Sequence, residues 1–320
     1  MTIIFSKISI FLLGITILVV LIGCQSQPGV EPEQLASATD RRPTPSPTPL
    51  PTPQPPVEAG PADTRPKASS YELVADFAGE ESDKLSDIAF YPPRETLFAV
   101  RDNGQIVEIR SDGSLIRKHE IREDADFEGI TYNPDTGMLY VVVEGEEIIL
   151  EINPETLAVV QTFLIDRSFE GRLLLSPDGD GIEGIAYVPA ATETGKGSFY
   201  LVNQADQLTG NDSSIVIEVE IKPGKTHPRA EIIRYFSVGT TDLSGITYIP
   251  FSRSLLITSD THDLLLETSL NGEILNIFPL PGKNQEGITI DSEGSLYIAQ
   301  DTNKPPLKLK VLPGATASGP

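Results

Sequence analysis

The sequence predicts an all-β fold: a five-bladed β-propeller closed by an N-terminal strand, behind a signal peptide and a Pro-rich linker. Three observations predict it. One frame of about 42 residues recurs five times, each copy alternates apolar and polar residues, and an apolar stretch ahead of the first copy has no partner of its own.

The chain begins MTIIFSKISIFLLGITILVVLIGC, with a lone Lys7 and an uncharged stretch from Ile8 to Ile22. A span of about 15 apolar residues is short of the ~20 that cross a bilayer and fits the core of a secretory signal. Leu21-Ile22-Gly23-Cys24 looks like a bacterial lipobox, so residues 1–23 read as a lipoprotein signal peptide and Cys24 as the lipidated residue. Gln25, not Asp, follows the cysteine, so the resemblance carries no inner-membrane retention signal. The expected address is the cell envelope, extracytoplasmic and lipid-anchored to a membrane.

Residues 24–69 form the expected linker. Twelve of the 27 prolines fall between residues 25 and 68, mostly in RRPTPSPTPLPTPQPP (41–56). Such a run fixes φ and deletes amide donors, giving a disordered but stiff spacer at about 3.1 Å per residue. Five acids and five bases precede residue 70, so the whole formal charge of −22 belongs to the chain beyond it.

The propeller is assigned to residues 70–313, with a flexible small-residue tail at 314–320. Its copies include KLSDIAFYPPRETLFAVRDN (84–103), DFEGITYNPDTGMLYVVVEG (126–145) and NQEGITIDSEGSLYIAQDT (284–302). Each reads as an apolar strand, a turn rich in Pro, Asp, Gly or Ser, and a second strand ending in a polar residue. Two further strands follow, as in EIILEIN (147–153) and LAVVQTFLI (157–165). Four strands per copy is the arithmetic of a blade. Aligning on Ile88, Ile130, Ile185, Ile246 and Ile288 gives spacings of 42, 55, 61 and 42, the longer gaps reading as insertions at 167–180, 190–197 and 204–212. The last two are expected on the periphery. The last copy supplies three strands, and YELVADF (71–77) is expected to add the fourth and close the ring.

The frame also places the chemistry. Two residues before each anchor isoleucine stand Ser86, Glu128, Glu183, Ser244 and Glu286; about 14 after it stand Asp102, Glu144, the Asn203-Gln204 pair, Asp260 and Asp301. In a propeller both positions crowd one axial mouth. Gly129, Gly184, Gly245 and Gly287 precede the anchors and allow close blade contact, with Asp87 the exception. Carboxylates 4 Å apart repel by ~4 kcal/mol per pair at an effective dielectric near 20. Calcium, a hard cation taking six to eight oxygens, is the expected relief, held by Glu128, Glu183, Glu286, Asp102, Glu144, Asp260 and Asp301. A solvated acidic rim without an ion is the alternative. Zinc is disfavoured because only His119, His227, His262 and Cys24 could supply nitrogen or sulfur.

The repeated EGI and LSGI openings resemble the SdiA-regulated family of bacterial envelope proteins over roughly residues 70–313. That resemblance implies a five-bladed, calcium-binding propeller. NHL repeats and calcium-dependent propeller lactonases and phytases share the EG-plus-apolar opening, and the copies at Ser86-Asp87 and Ser244-Gly245 depart from the full pattern.

The net charge of −22 argues against nucleic-acid partners, and one cysteine excludes an internal disulfide. No GxSxG, HExxH or GxxxxGK[ST] motif occurs. The expected function is therefore a membrane-tethered monomeric propeller that binds calcium and an unknown ligand or protein partner on its axial face. The alternative is a calcium-dependent hydrolase of the esterase, lactonase or phosphatase type, with the ion as Lewis acid.

Overall fold

The computed structural model describes residues 71–76, 84–177, 181–301 apart from 193, 194, 212, 223, 225 and 227, and 306–311. The expected signal peptide, Cys24, linker and tail lie outside them. Every element among the described residues is a β-strand, and no helix there is long and apolar enough to cross a membrane.

The strands follow the frame. After β1 (Tyr71–Asp76) come β2 (Asp87–Tyr91), β3 (Thr96–Val100), β4 (Gln105–Arg110) and β5 (Leu115–Glu120), paired in that order as one antiparallel sheet. Next are β6 (Phe127–Asn133), β7 (Met138–Val143), β8 (Ile148–Ile152) and β9 (Val159–Ile165), then a two-residue hairpin, β10 (Ser168–Phe169) and β11 (Arg172–Leu173), inside the first insertion. Then follow β12 (Ile182–Val188), β13 (Ser198–Asn203), β14 (Val216–Lys222) and β15 (Arg229–Phe236). The next four are β16 (Leu243–Ile249), β17 (Ser254–Ser259), β18 (Leu264–Ser269) and β19 (Ile274–Pro279). The chain ends with β20 (Gln285–Ile290), β21 (Ser295–Gln300) and β22 (Leu307–Val311).

Two of these meanders are not separate sheets. A short parallel contact, Arg229 opposite Leu164 and Ala230 opposite Ile165, joins β15 to β9 and makes one eight-stranded sheet. The N-terminal strand pairs as expected: β1 lies antiparallel to β22 with Tyr71 opposite Val311, so the last sheet runs β1-β22-β21-β20 and draws on both ends of the domain.

Packing follows from the apolar pattern. The second strands β3, β13, β17 and β21 are almost entirely buried, as strands covered on both faces should be, while β5 and β19 on the outside are mostly exposed. Apolar clusters fill the spaces between successive meanders. Phe98 and Leu139 share one, Phe163 and Leu201 the next, Val202 and Leu255 the next, and Leu256 and Leu296 the next. The cycle closes where Leu97 and Tyr297, from the first and last sheets, share a cluster. First strands touch in the same cyclic order: β2 meets β6, β6 meets β12, β12 meets β16, β16 meets β20, and β20 returns to β2. The architecture is a β-propeller.

Gly-only approach at the axis follows as the frame predicts. A Cβ on Gly129 would lie 3.0 Å from the Gly184 Cα, one on Gly184 3.0 Å from the Gly245 Cα, and one on Gly245 2.6 Å from the Gly287 Cα. The 204–212 insertion is not wholly peripheral. Ala205 is buried and its carbonyl accepts the Asp242 amide, which ties this loop to the β16 start beside the axis.

Candidate metal centre

A local irregularity positions the acidic side chains. In β6 the pairing with β7 jumps from Phe127 opposite Val143 to Gly129 opposite Val142, leaving Glu128 as the extra residue of a bulge. The same shift leaves out Glu183 in β12 and Ser244 in β16, and in β20 it spans Glu286 and Gly287. A bulge re-aims the side chain it carries, here at one end of the axis. The second strands finish beside these residues. Glu144 N bonds Asp126 O, Gln204 N bonds Gly181 O, Asp260 N bonds Asp242 O and Asp301 N bonds Asn284 O, so equivalent backbone bonds place four of the frame's second positions.

These bonds bring together Asp126, Glu128 and Glu144, each offering a carboxylate oxygen within 4.8 Å of the others. Glu144 Oε1 also accepts the Gly181 amide at 3.1 Å, which steadies it against the start of β12. Burial pushes the Glu128 carboxyl up to about 11, reinforced by Glu183, Asp126 and Glu144. Glu183, buried, is raised well above its ordinary value by desolvation and by Glu144, Glu286, Asp126 and Asp242. Glu286 rises to about 8 through burial and through Asp260, Asp301 and Asp242. Asp260 is raised by burial and Asp242, although its Oδ1 accepts the Gln285 amide at 3.0 Å. The charged groups that raise Glu128, Glu183 and Glu286 are thus all carboxylates.

Six of the seven expected residues, Glu128, Glu144, Glu183, Glu286, Asp260 and Asp301, therefore share one electrostatic neighbourhood. Asp102 is exposed in the turn after β3. It sits in the turn that the Gly104 amide closes on Arg101 O, and among the described residues no backbone bond equivalent to Glu144 N to Asp126 O ties it to the start of its first strand. Two acids escaped the sequence reading, Asp126 and Asp242. Both stand four residues before an anchor isoleucine, a repeat visible in DFEGI and DLSGI. Ser244, the departure in β16, spends its hydroxyl on Gln285 O at 2.7 Å and on Thr258 Oγ1 at 3.2 Å. His262 reaches Thr241 Oγ1 at 3.0 Å through Nε2.

Asp87 does something different. Its side chain lies inside the channel, where Oδ1 accepts the Ile88 amide and Oδ2 the Ile130 amide, both at 2.7 Å, bridging β2 to β6. Desolvation raises its carboxyl well above the usual range despite these bonds. A Cβ on Gly287 would lie 1.6 Å from Asp87 Oδ1, so the carboxylate also fills the gap beside β20.

The donors fit a hard cation. Oxygens on one calcium lie no more than about 5 Å apart, twice the Ca–O distance of roughly 2.3–2.6 Å, and the Asp126, Glu128 and Glu144 oxygens meet that limit.

Strand order, cyclic packing and this acidic mouth define a β-propeller with its charge gathered at one end of the axis. The chain belongs to the SdiA-regulated family, whose model matches residues 67–306. Among solved structures, Myxococcus xanthus glutaminyl cyclase is similar at 10% identity with a TM-score of 0.52, over 75% of this chain and 95% of that one. A protein of unknown function from Bacteroides caccae is similar at 14% identity and a TM-score of 0.43, over 67% of this chain and 69% of that one. The β-propeller domain of Myceliophteria thermophila Cps50 (Swd1) gives 12% identity and a TM-score of 0.39, over 72% of this chain and 66% of that one. At these identities the likeness concerns the fold alone.

Proposed function

We propose that the protein is a five-bladed propeller, tethered outside the cytoplasm through Cys24, that binds calcium at the acidic mouth and presents its axial face to a ligand or protein partner. The blade count is supported by the cycle of five first strands, with the β9–β15 contact as a bridge between two blades. The observation that carries the calcium reading is the trio Asp126, Glu128 and Glu144, with oxygens within 4.8 Å and one member placed by a bulge.

Bound calcium would supply positive charge where carboxylates now raise one another's pKa. Asp126, Glu128 and Glu144 would hold it, and Glu183, from β12, stands in their field. Glu286, Asp260, Asp301 and Asp242 extend that field toward β16 and β20. An ion here would bind the β6 blade and act on the neighbouring β12 through Glu183 and the Gly181 contact of Glu144, which favours a structural pin. Hydrolysis at the same ion remains the competing role, and turnover of ester, lactone or phosphate reporters by the calcium-loaded chain would support it.

Binding to the folded state alone stabilises by about 2.7 kcal/mol at 100-fold excess over Kd. For a domain of this size that is a rise of roughly 5–10 °C in melting temperature. Millimolar calcium should produce that rise and chelator should remove it. A melting curve indifferent to both, with no metal by elemental analysis, overturns the reading. Tethering is tested separately: palmitate labelling should disappear in Cys24→Ser, and labelling that persists refutes it.

A further inference from the structure

The channel has a second end, and its chemistry is unlike the first. Beyond the anchor isoleucines, away from the acidic mouth, the axis opens into a cavity of about 310 Å³. That is at the lower end of volumes found for small-molecule sites, roughly 300–1,000 Å³. The frame lines it as regularly as it lines the mouth. Two residues after the anchor, four of the five first strands present an aromatic ring, Phe90, Tyr132, Tyr187 and Tyr248, and the last presents Ile290. Four residues after the anchor, Pro92, Pro134, Pro189 and Pro250 form the rim.

The rings are backed by the core and do not close the lumen by packing on one another. Tyr132 stands edge-on to Tyr91, with centroids 5.0 Å apart, and Tyr187 tilts against Phe199 at 5.1 Å. Among the described residues no ring pair joins two of the four. Two of the three lining threonine hydroxyls, those other than Thr247, are engaged: Thr131 Oγ1 accepts the Tyr187 amide at 3.2 Å and Thr289 Oγ1 the Phe90 amide at 2.9 Å. The same position holds Ala89 in another blade, which leaves the wall apolar there.

Charge then decides the sign of an occupant. Among the described residues no Lys, Arg or His lines the cavity, and the one charged lining residue is Asp291. Asp291 is held in place by Oδ1 bonds from the Glu293 and Ser295 amides and an Oδ2 bond from the Tyr297 hydroxyl. An anion would meet only this carboxylate and the negative faces of aromatic rings, whereas a cation is attracted by both. Strongly hydrated metal ions are poorly served by an apolar wall; an ammonium carrying its own methyl groups is not.

We propose that this cavity is a binding site for a small organic cation of the alkylammonium class. The aromatic collar supplies contact and cation–π attraction, the prolines a rigid rim, and Asp291 the counter-charge. This site lies at the opposite end of the channel from the acidic mouth and does not depend on calcium being bound there.

The test is calorimetry on the full chain with choline and with 3,3-dimethyl-1-butanol, which has the same shape without the charge. Choline should saturate one site, and the neutral isostere should bind at least about tenfold more weakly. Tyr132→Leu should weaken choline roughly fivefold while Tyr132→Phe keeps it, because the ring and not the hydroxyl is invoked. Since Tyr132 also packs on Tyr91, Phe90→Leu serves as a second variant, and the melting temperature of each identifies a misfolded protein. Equal binding of choline and its isostere would make this a neutral apolar pocket and overturn the proposal. So would absence of choline binding at millimolar concentration, or unchanged choline affinity in both folded leucine variants.

Discussion

Strands β2 and β6 occupy the same place in adjacent blades and differ in the residues at two adjacent frame positions. In β6 a bulge turns Glu128 out to the mouth and Gly129 lets the next blade approach to contact. In β2 the position of Glu128 holds Ser86, whose amide bonds Val100 O, and Asp87 replaces the glycine with a buried carboxylate that accepts the Ile88 and Ile130 amides. One frame thus sends an acid either outward, where it joins other acids, or inward, where backbone amides receive it. Whether a carboxylate serves a site or the scaffold is decided here by which of two adjacent frame positions carries it.

The largest expected effect comes from spoiling the fit between the two kinds of strand. In Gly287→Ala the new Cβ would lie 2.4 Å from the Asp87 Cα, and backbone cannot yield as a side chain can. Overpacking of this severity should cost about 3 kcal/mol or more, read from denaturant unfolding. A variant as stable as the parent would show that the blades are not in contact there.

Removing the inward carboxylate should cost a comparable amount. Asp87→Ala leaves the Ile88 and Ile130 amides without their acceptor, at about 1–3 kcal/mol for each unsatisfied buried group. Asp87→Asn keeps an acceptor oxygen and should recover much of the loss. Calcium affinity should be unchanged in Asp87→Asn, and a large change would mean that the inward and outward acids form one site.

A smaller effect distinguishes the two ends by pH. In the calcium-free chain Glu286 keeps its proton up to about pH 8, whereas its ordinary value is 4.5. Between those values the folded state binds the extra proton, so its contribution is full below about 4.5 and is lost as pH rises toward 8. Calcium-free stability should therefore decline across that window, and saturating calcium should flatten the decline. A slope of the opposite sign would place Glu286 in a different environment.

Much of this was legible in the sequence, for a physical reason: period-two alternation and a fivefold frame constrain strands wherever they recur. The pairing partner of YELVADF, the axial glycines and six of the clustered acids all followed from the repeat. Register did not, because a bulge changes neither composition nor spacing. The frame places Asp102 level with Glu144, but only the backbone bonds show that its turn is not tied to the first strand as Glu144 is, and only side-chain contacts reveal Asp87 as an acceptor of backbone amides. Asp126 was passed over because its position carries Asp in two copies and Lys84, Gly181 or Asn284 in the others. The aromatic positions at Phe90, Tyr132, Tyr187 and Tyr248 read as ordinary strand residues until the first strands were seen to face a common axis.

The central claim is that the outward acids of the β6 blade hold calcium. Calorimetric titration of calcium into the full chain, its Glu128→Gln variant and its Asp102→Asn variant tests it most directly. The account predicts one saturable site in the parent, at least about tenfold weaker binding in Glu128→Gln because a carboxylate donor is lost, and parental affinity in Asp102→Asn. No binding by the parent, or equal affinity in parent and Glu128→Gln, would contradict it.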